Sequence, residues 1–98
     1  MSDKVTPPFS APSNQCLQHC VKIAIVDDKP IMLDYWANSQ DSKVLIGVRD
    51  NGEKLLVKSE DEYTSPIAKI FKVDTEYIIV TANSIYIVAA DISTRRIN

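Results

Sequence analysis

The chain is poor in the residues that chemistry usually needs. It holds one histidine, two cysteines and two glycines among 98 residues. Gly47 and Gly52 have the spacing of G-x-x-x-x-G, but Glu53-Lys54 follows where G-x-x-x-x-G-K-[ST] needs Lys and then Ser or Thr, and two glycines are too few for G-x-G-x-x-G. A Ser-His-Asp triad would have to use His19, and no nucleophile motif points to it. No apolar run is long enough for a transmembrane helix. The N-terminus, "MSDKVTPPFSAPSNQ", lacks the apolar stretch of a secretory signal. Two cysteines in such a chain predict free thiols in a reducing compartment, and so the cytoplasm. A net positive charge is also missing. The net charge is −2, whereas a nucleic-acid binder of this size is usually basic.

What is present suits one small domain. Apolar residues make up 45% and charged residues 24%, both ordinary for a soluble globular chain. Folding at this length buries roughly 65% of the surface of the unfolded chain, enough for a single core. Residues 1–13, with Pro7, Pro8 and Pro12, are expected to form a flexible tail. Residues 14–92 are expected to form the globular domain, and residues 93–98 a loose C-terminal tail.

The spacing predicts a helix over 14–26. Ser13 can cap it, its hydroxyl accepting a free N–H of the first turn. Leu17, Cys20, Val21 and Ala24 fall at i, i+3, i+4 and i+7, the spacing of one buried stripe. Cys16 and His19 then sit on its margin. Pro30 ends the helical geometry. From there the period changes to two. "IMLDYW" alternates like a half-buried strand, with Asp34 facing solvent or hydrogen-bonded to a neighbour. "KVLIGVRDNGEKLLVK" reads as a hairpin. A two-residue turn at Asn51-Gly52 pairs Val48 with Leu55 and Ile46 with Val57. A three-residue loop would pair Arg49 with Glu53 instead. The first register is preferred, because it keeps the inward face apolar.

Three further strands follow the acidic loop "SEDEYTSP", with tight turns at Asp74-Thr75 and Ala82-Asn83. Short connections between strands favour antiparallel neighbours. The fold class is therefore α+β: one N-terminal helix packed on an antiparallel sheet or small half-barrel of about six strands. The last hairpin stands apart. Pairing Ile79 with Tyr86 and Tyr77 with Val88 makes one face apolar. Pairing Val80 with Ile85 and Ile78 with Ile87 makes the other face apolar too. A sheet with one wet face alternates apolar and polar residues. Both faces must be covered here, and one helix covers only one of them. Barrel curvature, a loop or another chain must close the second.

Three function classes follow. The first is a non-enzymatic interaction module, a homo-oligomer or adaptor that binds itself or another protein through an apolar sheet face. Its candidate interface residues are Tyr35, Trp36, Tyr77, Ile79, Tyr86 and Val88, since aromatic side chains often anchor interfaces. The second is a single-stranded nucleic-acid or nucleotide binder that stacks bases on sheet aromatics. Residues 43–98 carry eight basic and eight acidic side chains, a balance that makes nucleic acid the weaker candidate. The third is a small metal protein built on "QCLQHC", with Cys16, His19 and Cys20 as ligands. One chain supplies no fourth Cys or His to that cluster. "DKPIMLDYWA" resembles, over ten residues, the strand before the active site of thioredoxin-like proteins. Where that family places a cysteine pair, this chain has "NSQD", so no oxidoreductase activity carries over. No catalytic residue, cofactor or membrane association is expected.

Overall fold

The computed structural model describes residues 11–97, so most of the proline-rich tail, residues 1–10, lies outside the described residues. The order of elements is α1 (Asn14–Asp27), β1 (Ile31–Met32), α2 (Trp36–Gln40), β2 (Leu45–Val48), β3 (Lys54–Val57), β4 (Ile67–Val73), β5 (Glu76–Thr81), β6 (Ile85–Ala89) and β7 (Ser93–Arg96). The class is α+β, with two sheets and α1 packed against the one that contains β5 and β6. One sheet has the order β1-β6-β5-β4 and the other β3-β2-β7. The consecutive pairs are antiparallel, as short connections dictate. The sheets are nevertheless mixed, because β1 runs parallel to β6 and β2 parallel to β7.

The β5–β6 hairpin adopts the register its apolar pattern demands. Val80 pairs with Ile85, Ile79 with Tyr86, Ile78 with Ile87 and Tyr77 with Val88. Ile78, Ile79, Ile85, Ile87 and Val88 are completely buried, on both faces. One face, with Ile78, Val80, Ile85 and Ile87, packs against Cys16, Cys20 and Trp36. The other, with Ile79 and Val88, packs against Tyr35, Val44, Ile46 and Leu56. The second face is thus closed by the chain's own second sheet. Each such side chain contributes about 1.5–3 kcal/mol when fully buried, so this double-sided layer dominates the core.

Helix α1 begins where Ser13 caps it, with extended backbone angles and its Oγ accepting from the Cys16 N–H at 3.1 Å. It ends at Asp28, whose left-handed backbone returns its N–H to the Ala24 carbonyl. Its buried face differs from the expected stripe. Cys16 and Cys20 are fully buried, while Val21 is 48% exposed. The small cysteines and Ala24 let the helix sit close to the branched side chains of the sheet.

"IMLDYW" is not one strand. Pairing stops at Met32, and α2 starts at Trp36. The break lets Trp36 pack in the α1-side core while Tyr35 packs in the other. The Ser39 hydroxyl then ties α2 to the sheet, donating to the Trp36 carbonyl and accepting from the Ala89 N–H.

The β2–β3 hairpin takes the three-residue loop. Arg49 N–H donates to the Glu53 carbonyl at 2.8 Å, and Val48 faces Lys54. Gly52 carries the positive φ, 89°, that closes such a loop. The register brings Arg49 beside Glu53 instead of Lys54, and still buries Ile46 and Leu56 on one face. Residues 93–96, expected to be loose, form β7, and the Ile97 N–H continues the pairing to the Val48 carbonyl.

This two-sided burial has a direct mutational consequence. Ile78→Ala and Ile79→Ala, adjacent in sequence but on opposite faces, should each lower the unfolding free energy by about 2–5 kcal/mol in a urea titration. A sheet with one wet face would show a large loss at only one of them.

Candidate functional site

The "QCLQHC" cluster divides across α1. Cys16 and Cys20 lie one turn apart and face the sheet, both completely buried, whereas His19 is exposed. Among the described residues no group of three or more His, Cys, Asp or Glu side chains converges as a metal site. Burial raises both thiols from 9.0 to about 11, and the Glu76 carboxylate adds to the effect at Cys16. Thiolate is the nucleophilic and metal-binding form, so these side chains are inert near neutral pH. They act as small core residues.

The aromatic residues also point inward. Tyr35 and Trp36 are 5% and 6% exposed, and Ile79 and Val88 are fully buried. Tyr77 and Tyr86 are half-buried against the second sheet. Four of the six candidate interface residues therefore lie in the chain's own core, and Tyr77 and Tyr86 pack at its margin. Tyr35 meets Tyr86 edge to face, with ring centroids 5.2 Å apart, and Lys58 Nζ lies 4.9 Å over its ring. Burial, then the neighbouring Tyr86, Asp34 and Glu62, push the Tyr35 phenol up to about 12. That pair is a packed corner with no titration near neutral pH. Asp34 is exposed.

One buried carboxylate has no counterpart among the sequence expectations. Glu76, 6% exposed, starts β5 beside the N-terminus of α1. The Ser13 hydroxyl donates to its Oε1 at 2.9 Å, and the Thr75 hydroxyl donates to its Oε2 at 3.2 Å. Ser13 Oγ at the same time accepts from the helix, so Glu76 anchors the helix start through its cap. Glu76 also lines an open cleft of about 600 Å³ with Trp36, Lys72, Asp74 and Asp91. Both its oxygens are engaged by hydroxyls of the same chain, which gives it a structural role.

The apolar surface lies elsewhere. On α1, Val21, Ile25 and Val26 are 48%, 75% and 81% exposed, and Leu33 beyond β1 is 53% exposed. Val21 and Ile25 lie one turn apart and form a short exposed ridge, while Leu17, one turn earlier, is half-buried against the core. On β4, Ile70 and Phe71 are also exposed. The signal for the helix surface is present in "VKIAIV". With five apolar residues in six, no single face can hide them all.

No described helix is long and apolar enough to cross a membrane. Comparison with protein-family models, with curated proteins and with solved structures finds no match to this chain.

The cysteine environment makes two measurable statements. Alkylation of native protein at pH 8 should be far slower than in urea, and its native rate should rise about tenfold per pH unit toward pH 11. The unfolded thiols ionise near 9.0 and the folded ones near 11. Between those values the folded state binds more protons, so stability should fall as pH rises through that window. Native thiols that react as fast as unfolded ones would contradict this burial.

Proposed function

We propose that this chain is a non-enzymatic interaction module, working as a homo-oligomer or as a small protein adaptor. The observation that carries the reading is the short apolar ridge of Val21 and Ile25, with Val26 beside it, left exposed on α1. The chain covers both faces of its central hairpin with its own elements, yet leaves this ridge open. Scattered exposed apolar side chains are common, but a helical row spaced at four suits the groove of a second protein surface. A groove of about 370 Å³ along Leu17 and Val21 extends the same surface. We place the module in the cytoplasm. The support is the pair of free, buried thiols, which need no oxidising environment.

The double variant Val21→Glu/Ile25→Glu tests the reading. Both side chains are exposed, so the circular dichroism spectrum and melting temperature should stay close to those of wild type. Covalent cross-links that wild type forms in cells should be lost in the variant. An identical cross-linking pattern for the two proteins would reject the α1 ridge as the working surface.

A further inference from the structure

The two sheets end in four edge strands, and three of them are short, charged or already occupied. Strand β1 is only two residues long. Strand β7 presents the exposed charges of Arg95 and Arg96. The edge of β3 is occupied by the loop that follows it. Thr64 N–H donates to the Leu56 carbonyl, Leu56 N–H donates to Thr64 Oγ1, and Val57 bridges to Tyr63. These are the ordinary ways of blunting an edge. Strand β4 also carries Lys69, Lys72 and an irregularity between Ile67 and Lys69, but it is the longest of the four edges and its outer side is uncovered by any described residue. It runs for seven residues, and among the described residues only β5 pairs with it.

We propose that β4 pairs antiparallel with β4 of a second copy of this chain, about a two-fold axis at Ile70. The inference rests on the interaction-module reading and names the partner and the surface. The two four-stranded sheets would become one sheet of eight.

The register follows from the hairpin geometry. Val73 and Glu76 flank the two-residue turn Asp74-Thr75, so they form a hydrogen-bonded pair. Alternation then points the N–H and C=O groups of Phe71 and Lys69 toward β5, and those of Ile70 and Lys72 outward. Antiparallel pairing needs outward residues to face outward residues. Centred on Ile70, each Ile70 exchanges both hydrogen bonds with the partner's Ile70. Lys72 then faces the partner's Ala68, and Lys69 faces the partner's Phe71. No lysine meets a lysine. Moving the axis to Lys69 or to Lys72 would set like charges directly opposite, which is destabilising. Moving it to Phe71 would shorten the overlap. Only the axis at Ile70 matches the whole strand and separates the charges.

Side-chain placement agrees with that register. Phe71 shares the α1 face with Ile78, and Ile70 shares the second-sheet face with Ile79. The irregularity between Ile67 and Lys69 turns Ile67 back onto that second face, where it packs in the core. Ile70 and Phe71, 38% and 41% exposed, are thereby the apolar residues that the new pairing would cover, one on each face.

The test is the mass of the full chain in solution by light scattering across a concentration series. Wild type should approach twice the chain mass of 11.0 kDa as concentration rises. Ile70→Lys and Ile70→Glu should each weaken the dimer at least tenfold by placing like charges on the axis, and an equimolar mixture of the two should restore it. On wild type alone, the Ile70 and Lys72 amides should gain exchange protection with concentration. A wild type monomeric at every concentration, a variant that still dimerises as wild type does, or a mixture that fails to recover would each overturn the proposal. The α1 cross-links are a separate readout: their survival alongside a monomeric mass would sink this pairing and leave the module reading standing.

Discussion

The β5–β6 hairpin is apolar on both faces, and this constraint organises the molecule. A strand pair with Ile78, Val80, Ile85 and Ile87 on one side and Ile79 and Val88 on the other cannot lie on a surface. It needs a layer above and a layer below. Helix α1 supplies one layer, through the small side chains Cys16, Cys20 and Ala24. The second sheet supplies the other, through Val44, Ile46 and Leu56. The connection between them is bent at Asp34 so that Tyr35 and Trp36 can serve opposite sides of the same sheet.

The polar groups are largely consumed by this architecture. Glu76 holds Ser13, and Ser13 holds the start of α1. Ser39 fastens α2 to β6, and Lys29 Nζ donates to the Thr81 carbonyl at 2.7 Å near the end of β5. Buried polar atoms cost free energy unless they are paired, and these are paired within the chain. The ion pairs Arg49–Glu53, Lys58–Glu62 and Arg96–Asp50 are surface contacts of small energetic weight. Among the described residues, apolar surface on α1 and the outer edge of β4 stay uncovered. These are the surfaces that the proposed association would use.

The sequence was most legible where one pattern had one solution. The β5–β6 register is specified twice over, because a slip of one residue would exchange two faces that are both fully packed. The Ser13 cap and the Asp74-Thr75 turn are local chemistry and needed no tertiary information. Legibility failed where local choices were close in energy. In "VKIAIV" nearly every position is apolar, so the spacing could not say that Val21 and Ile25 face outward. At residues 49–53 two hairpin loops compete, and the Arg49–Glu53 pairing decides against the Arg49–Lys54 one. Strand β7 was invisible because its partner β2 is far away in sequence and its own residues, Ser93 to Arg96, are polar. For the candidate site, the pattern marks positions such as Tyr35 and Trp36 as apolar but does not say what covers them. The burial of Tyr35 depends on the second sheet, a packing event that periodicity does not encode.

Amide hydrogen exchange on the native chain tests the central claim most directly. If the hairpin is sealed from both sides, its amides at residues 78–80 and 85–88 open only when the whole domain unfolds. They should be the slowest in the molecule and share one free energy, equal to that of global unfolding. Hairpin amides that exchange faster than those of α1 or β2 would contradict the account, because they would show a central layer that opens while its covers stay in place.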